Sequence, residues 1–560
     1  MRRRPVYRHE GFRQLAEHFS QEMLRRDPLT ATWLGEHQYD GLLPEVGAEA
    51  VEKEIAFYRA MRDRFNALPE RELSLDERLD RAVMLHLCEQ TLFLQEDLRR
   101  WRLGSDLAMT IGNSLFLLFV RDFAPLAQRM ESIISRLKAV PMYLMAGRTL
   151  FQDVPPLWGE LFLESAARLP DLLDAIATAI KGQVPAPLQQ DYANAAAGAR
   201  KALEQFQTWF RHAIMPKAHG DWALGSGPFQ ALLQVRRLGF MPSELRDLGD
   251  TCLRRAQDRL DQMAHRLVGS SSRTRPETRQ EAFTRIRSKR PPTFEHALEA
   301  YRDAVARSRA FVEMTKFATL PEEETLEIVE TPSYMAHLIP FAAYLSPERT
   351  ARPQKGIYLV TRHPGADLSR HNYADISNTS VHEGYPGHHL QLSMANLHPS
   401  RLRVFASSVE LSEGWALYCE EAMKQRGFEA TEENLFVQTA DECWRAARVL
   451  LDVNLHQKTW TFDQGLQFLI EQTQMDETAA RAELHRYTMT PGYPLSYLVG
   501  KHLLQTLKED LHREFAGDFT DREFHDLVLG EGSLPLFLGR EFYPQMLREI
   551  LKAGPARQGS

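Results

Sequence analysis

The chain has 560 residues, of which 43% are hydrophobic and 26% charged, with a formal net charge of −7. This is the composition of a soluble globular protein, and its acidic balance gives no electrostatic reason to expect nucleic acid as a partner. No stretch approaches the roughly 18 apolar residues of a membrane helix, and the basic start Met1-Arg2-Arg3-Arg4 lacks the apolar core of a secretory signal.

At roughly 100–200 residues per domain the length corresponds to three or more domains, although large helical enzymes often grow two lobes around one cleft. A chain this long buries a large apolar core without disulfides or structural metals, so a metal in it is expected to serve chemistry. Cys88, Cys252, Cys419 and Cys443 are scattered and lack metal-knuckle spacing. They read as small buried apolar residues in a reduced, cytoplasmic setting.

In chain order, Phe12, Leu15, Phe19 and Met23 recur at helical spacing until Asp27-Pro28 closes the stretch. The pattern continues over 76–103, where Leu79, Val83, Leu85, Leu92 and Leu94 alternate with charge, and again over 125–147, 186–213 and 243–268. The polar run 269–276 reads as an exposed loop. An irregular region over 320–380 holds two strand candidates, 325–330 and 356–361, while Pro332, Pro340, Pro347 and Pro353 exclude a long helix there. The expected organisation is mainly α: an N-terminal helical lobe over 1–290, then a C-terminal lobe over 291–560 with a small sheet. The oligomeric state is not legible.

The most unusual segment is Ser377-Asn378-Thr379-Ser380-Val381-His382-Glu383-Gly384-Tyr385-Pro386-Gly387-His388-His389-Leu390-Gln391. Asn378 and Ser380 are good helix caps, so a helix is expected to begin here, with His382-Glu383 near its start. In the zinc-peptidase pattern His-Glu-x-x-His, two histidines four residues apart bind the metal and the glutamate acts as general base. Here the fourth position is Pro386, which can do neither job of a helical ligand. In an uninterrupted helix, residues seven apart lie about 20° from each other on the wheel, favouring His389 as second ligand. A bulge at Pro386-Gly387 would instead bring His388 into place. The bulge is preferred because Pro-Gly is a poor way to continue a helix, with His389 as the fallback. Zinc then needs a third protein ligand and an open position. Glu413, 25 residues after His388 and followed by Gly414, is the expected third ligand. Glu410 lies one turn away as a supporting group, and Glu420 and Glu421 read as a solvated face.

The stretch from His382 to Gln391 resembles the signature of the domain of unknown function 885 family. Ser412-Glu413-Gly414-Trp415-Ala416-Leu417-Tyr418 is similar to its second motif, and Arg445–His456 to its third. Arg486-Tyr487 leading into Pro491-Gly492-Tyr493-Pro494-Leu495-Ser496-Tyr497-Leu498-Val499-Gly500-Lys501 is similar to its fourth. One departure is Val453-Asn454, where the family usually has Thr-Gly. In that family the histidine after Pro-Gly recurs while the next position can be aromatic, which favours His388. The family is similar in outline to helical gluzincins such as thimet oligopeptidase. The resemblance therefore implies a two-lobed helical fold with a deep cleft, a small sheet at its edge, and one zinc per chain.

The roles expected from these motifs are those of a peptide hydrolase acting on a peptide or small amide, with a zinc hydrolase of a non-peptide amide or ester, or a catalytically silent metal- or ligand-binding protein, as the alternatives. Glu383 would take a proton from water and pass it to the leaving amine. Tyr497 and His456, with Tyr493 and Tyr487 behind them, are candidate donors to the oxyanion. Asp452, four residues before His456, could orient its imidazole, and Arg445, Arg448 and Tyr493 are candidate substrate-binding residues. Strand 325–330 could accept an extended peptide by edge addition.

Overall fold

Many helices begin where a short polar side chain can take up a free backbone N–H. Ser74 caps Leu75–Leu92 in a reciprocal box with Glu77, Thr293 caps Phe294–Thr315, and Thr431 caps Glu432–His456. Asp27 does more than end the first helix, Glu10–Arg26: it caps the next, Pro28–Leu34. The computed structural model describes residues 5–269, 274–331, 339, 341–362, 368–517 and 519–553. The basic start at 1–4, the middle of the loop at 270–273, and Pro332 and Pro340 lie outside the described residues.

The fold is mainly helical with one three-stranded sheet. Helices Leu126–Gly147, Ala186–Trp209 and Pro242–Val268 lie where the apolar spacing predicts them. The stretch 76–103 is not one helix: after Leu92 it passes through a π turn, Phe93–Asp97, and a 3-10 turn, Arg100–Arg102. No described helix is long and apolar enough to cross a membrane.

The sheet has strands β1 (Glu324–Glu330), β2 (Ala342–Leu345) and β3 (Gln354–Val360) in the order β1-β3-β2. β1 runs parallel to β3 with Glu324 opposite Gln354, and β2 runs antiparallel with Ala342 opposite Val360. The sequence marks β1 and β3 to within two residues. It misses β2, a four-residue strand with only Leu345 buried, too short to show an alternation. The expected edge addition of a peptide to β1 meets a partly engaged edge: Arg302 Nη2 donates to the Ile328 carbonyl at 3.2 Å.

Among the described residues five apolar clusters hold the elements together, three of them large. One joins Phe12, Phe19 and Phe65 to Trp415, Leu504 and Met546, so its contacts cross residue 290. A second is built within residues 107–210. The third packs Pro242–Val268 against Glu432–His456 through residues such as Leu253 and Val449.

Candidate metal centre

The helix carrying the motif spans Tyr373–Glu383, and its N-cap is Asn372, whose side chain accepts from the Asp375 amide. The expected start at 378–380 is therefore corrected. Asn372 captures the first free amide, and Asn378 and Ser380 sit buried inside the helix. His382-Glu383 closes this helix instead of opening it, and a new helix, His388–Asn396, starts after the break.

The break brings the two histidines together. The Gly384 amide donates to the Ser380 carbonyl at 3.0 Å and the Gly387 amide to the Val381 carbonyl at 3.0 Å, folding the loop back onto the helix end. A Cβ at Gly387 would lie 1.9 Å from the His382 carbonyl oxygen, so only glycine permits the turn. The Trp415 indole donates to the Pro386 carbonyl at 2.7 Å and pins the loop to helix Val409–Gln425. The rings of His382 and His388 then stand 4.8 Å apart and nearly perpendicular, at 89°.

Glu413 faces both rings. Its Oε2 lies 3.5 Å from His388 Nε2 and 3.8 Å from His382 Nε2. One ligand atom from each of the three residues falls within 4.8 Å of the others. Glu413 reaches this position because its helix crosses Ser496–Glu514 glycine to glycine: a Cβ on Gly414 would lie 2.4 Å from the Gly500 carbonyl carbon. Tyr493 holds the other carboxylate oxygen, donating to Oε1 at 2.8 Å. Burial opposes the charge on Glu413, but the two histidines outweigh it and hold the carboxyl well below the usual range. Burial likewise opposes a proton on His382, yet Glu413 and Glu420 hold that imidazole up to about 10.

Glu420 corrects a second expectation. It is 1% exposed, not part of a solvated face, and its Oε1 accepts from His382 Nδ1 at 2.6 Å. Asn378 donates to Glu420 at 2.9 Å and to Asp441 at 2.8 Å, and Arg445 closes the chain on Asp441 at 3.1 Å. Two signals in the sequence point to these residues. Asn378 is four before His382 on the same helical face, and the run Trp415-Ala416-Leu417-Tyr418-Cys419 marks a helix buried on all sides, where a glutamate needs a partner. Glu421 meets Lys501 Nζ at 2.6 Å. Glu410 turns away from the triad and pairs with Arg236 at 2.6 Å.

His389 is not in the triad. It is fully buried, with Nε2 2.8 Å from Glu324 Oε2 and Nδ1 3.0 Å from the Tyr344 hydroxyl, fastening the second helix to the sheet. Glu383, the last residue of its helix, is partly exposed, and its charge acts on the His382 imidazole.

Other expected residues fall into two groups. Tyr497 packs edge-on to Tyr493, centroids 6.0 Å apart, and lies 4.4 Å beneath the Arg448 guanidinium. Burial first, and the Glu413 charge second, raise its phenol, so it keeps its proton at neutral pH. His456, in contrast, is enclosed by Trp222 and Phe229, and its Nε2 donates to the Tyr487 carbonyl at 3.1 Å. Asp452 Oδ1 lies 3.8 Å from His456 Nε2, while its carboxylate accepts from the Gly492 and Leu495 amides at 3.0 and 3.2 Å. Arg448 donates to the Tyr487 hydroxyl at 2.8 Å and Glu483 at 3.2 Å, and Arg445 to Asp441, while Nη1 of Arg448 and Nε of Arg445 are buried with no hydrogen-bond partner among the described residues. Tyr487 is buried in this network, donating to Glu483 at 2.8 Å.

The chain matches the family described as "Bacterial protein of unknown function (DUF885)" over residues 28–540. Among solved structures it is similar to "a putative lipoprotein of unknown function from Shewanella oneidensis", at 19% identity and a TM-score of 0.78, covering 95% of this chain and 99% of that one. It is also similar to "the putative lipoprotein from Colwellia psychrerythraea", at 17% identity and a TM-score of 0.81, covering 96% and 99%. No curated protein matches.

Proposed function

We propose that this chain, which belongs to the bacterial family of unknown function DUF885, is a zinc-dependent hydrolase cleaving peptide bonds in short peptides. The reading is carried by the convergence of His382, His388 and Glu413, one ligand atom of each within 4.8 Å of the others. Two imidazoles and a carboxylate form a donor set suited to one zinc ion with a position left for water or substrate. The surroundings fit that ion: Glu420 holds Nδ1 of His382, which leaves Nε2 on the side of Glu413. Zinc bound there would supply Lewis acidity toward a substrate carbonyl and toward water.

The chain's own residues divide the remaining work. Glu383, adjacent to a ligand, takes a proton from the attacking water and delivers it to the leaving nitrogen. Tyr497, which retains its proton beside the Glu413 charge, donates to the substrate oxygen as it gains charge. Tyr493 and Glu420 hold Glu413 and His382 in place. The choice of a peptide bond rests on the likeness of the His-Glu motif to that of zinc peptidases. The four described cysteines are all free, which supports a reduced, cytoplasmic compartment; recovery in the membrane or periplasmic fraction of the source cell would overturn it.

Elemental analysis of the wild type and His388→Ala, with a peptide-library assay on the wild type and Glu383→Gln, tests the function. About one zinc per chain, the number of a single catalytic site, is expected in the wild type and lost in His388→Ala. Glu383→Gln is expected to keep zinc and lose cleavage. A wild type that takes up no stoichiometric zinc on reconstitution sinks the reading. Zinc uptake with cleavage only of non-peptide amides or esters would move it to another substrate class.

A further inference from the structure

Next to Tyr493 lies a cavity of about 260 Å³ that none of the roles above uses and that none of His382, His388 and Glu413 lines. Tyr493 belongs to both places: its hydroxyl binds Glu413 while its ring lines the cavity. Glu410, one turn before Glu413, lines it as well. The remaining wall is largely apolar, with Phe93, Leu232 and Phe537 among its residues.

The backbone at this wall is irregular in a way that serves the cavity. Helix Leu75–Leu92 gives way to the π turn Phe93–Asp97, and the first two residues of that turn both line the space. π turns are frequent at functional sites because they re-aim side chains that a regular helix would turn elsewhere. Leu94, the second of them, is 38% exposed, an apolar side chain left open at the wall.

Charge in the wall is already compensated. Arg236 pairs with Glu410 at 2.6 Å, and Arg237 pairs with Glu89 at 2.9 Å while its guanidinium lies 5.0 Å over the Phe537 ring. His86 is 4% exposed, and burial, aided by Arg237, pushes its imidazole down to about 4, so it is neutral at physiological pH. Its buried Nδ1 has no hydrogen-bond partner among the described residues. A charged group entering the space would lose water and meet no free counter-charge. An aromatic ring would lose only apolar hydration, and one polar atom on it could meet His86. The size agrees, since an engineered apolar cavity of about 150 Å³ holds benzene.

We propose that this cavity is a side-chain pocket for a peptide substrate, selecting a bulky, uncharged aromatic side chain. The proposal rests on the hydrolase reading for its place in catalysis, but ligand binding to the pocket can be measured without turnover.

Binding of side-chain analogues to the full-length zinc-loaded protein, followed by ligand-observed NMR, is the direct test. p-Cresol and indole are expected to bind saturably, and n-butylammonium and propionate not to. Leu232→Trp, which fills the cavity, and Leu94→Trp, which crowds its exposed side without disturbing a buried position, are each expected to weaken p-cresol by about tenfold or more, the scale of pocket discrimination. His86→Leu is expected to remove the preference for p-cresol over toluene. In the peptide-library assay, KM for peptides with an aromatic residue should rise in both Trp variants more than kcat falls. Equal binding of charged and aromatic analogues, or p-cresol affinity unchanged in both Trp variants, overturns the pocket. Zinc content is read on the same samples, so loss of the metal reading is seen separately from loss of the pocket.

Discussion

Nδ1 of His382 donates to Oε1 of Glu420 across 2.6 Å, and that carboxylate is 1% exposed. The bond fixes which nitrogen of the ring is left for the Glu413 side, and Asn378 holds the second oxygen of Glu420 at 2.9 Å. A group that orients a metal-binding histidine in this way contributes to affinity without touching the metal. Glu420→Gln is expected to weaken zinc binding by about 10–100-fold while the fold is retained. Competition with a chelator of known affinity measures it, and an unchanged zinc affinity would reduce Glu420 to a packing role.

The triad was legible because its residue types are rare together and carry their own spacing, and because Pro386-Gly387 announces a break. The break at Pro386-Gly387 falls where the sequence puts it, and the start of the helix before it does not. Asn378 and Ser380 have the chemistry of helix caps, but Asn372 takes that role first, and a sequence offers no way to rank three candidate caps within nine residues. The burial of Glu420 is hidden in the sequence for a related reason. The direction a helix face points is set by the elements packed on it, and Glu420 beside Glu421 looks like a solvated pair until the burial of the whole helix is known. β2 left too few residues for any period. The helices with long apolar stripes, such as Pro242–Val268, were legible because burial on one face leaves a repeating mark.

His388 and His389 are adjacent but do different things, and substitution separates them. His388→Ala removes a proposed ligand from a partly open site and is expected to abolish zinc binding with little loss of stability. His389→Ala deprives buried Glu324 and Tyr344 of a shared partner and leaves a cavity against β3. It is expected to cost about 2–4 kcal/mol of stability, with zinc retained by the folded fraction. Urea unfolding and elemental analysis of the two variants decide the assignment; the reverse pattern would make His389 the ligand.

The crossing of Gly414 and Gly500 sets how closely the helix carrying Glu413 approaches its neighbour. A Cβ on Gly500 would lie 2.0 Å from the Glu410 carbonyl oxygen, a backbone atom that cannot swing aside. Gly500→Ala is therefore expected to destabilise by about 1–3 kcal/mol, as overpacking does, and to weaken zinc binding by shifting Glu413. Gly198, inside helix Ala186–Trp209, is the control, because a Cβ there meets nothing within 4 Å. Gly198→Ala is expected to be neutral or to stabilise by up to about 1 kcal/mol. Thermal unfolding of both variants checks the contrast, and similar midpoints would show that the crossing relaxes freely.

His456 gives a clear pH signature outside the candidate metal centre. Burial, with Arg100 adding to it, pushes its imidazole down to about 3, against about 6.5 for an exposed histidine. Its Nε2–H is used by the Tyr487 carbonyl, and its buried Nδ1 has no hydrogen-bond partner among the described residues, so a second proton has no acceptor. The native state thus binds fewer protons at this site than the unfolded state, and stability is lost as pH falls below about 6.5 toward 3. Between pH 7.5 and 5.0 the site alone should remove about 2 kcal/mol. His456→Phe keeps a ring between Trp222 and Phe229 but cannot titrate. Its stability at pH 7.5 should be lower than that of the wild type because a hydrogen bond is lost, and its further loss on going to pH 5.0 should be smaller. Urea unfolding at the two pH values measures both differences; equal acid losses in the two proteins would refute the burial account. Peptide cleavage at pH 7.5 should persist in His456→Phe, and its disappearance with zinc and fold intact would return His456 to the oxyanion role that the sequence first assigned it.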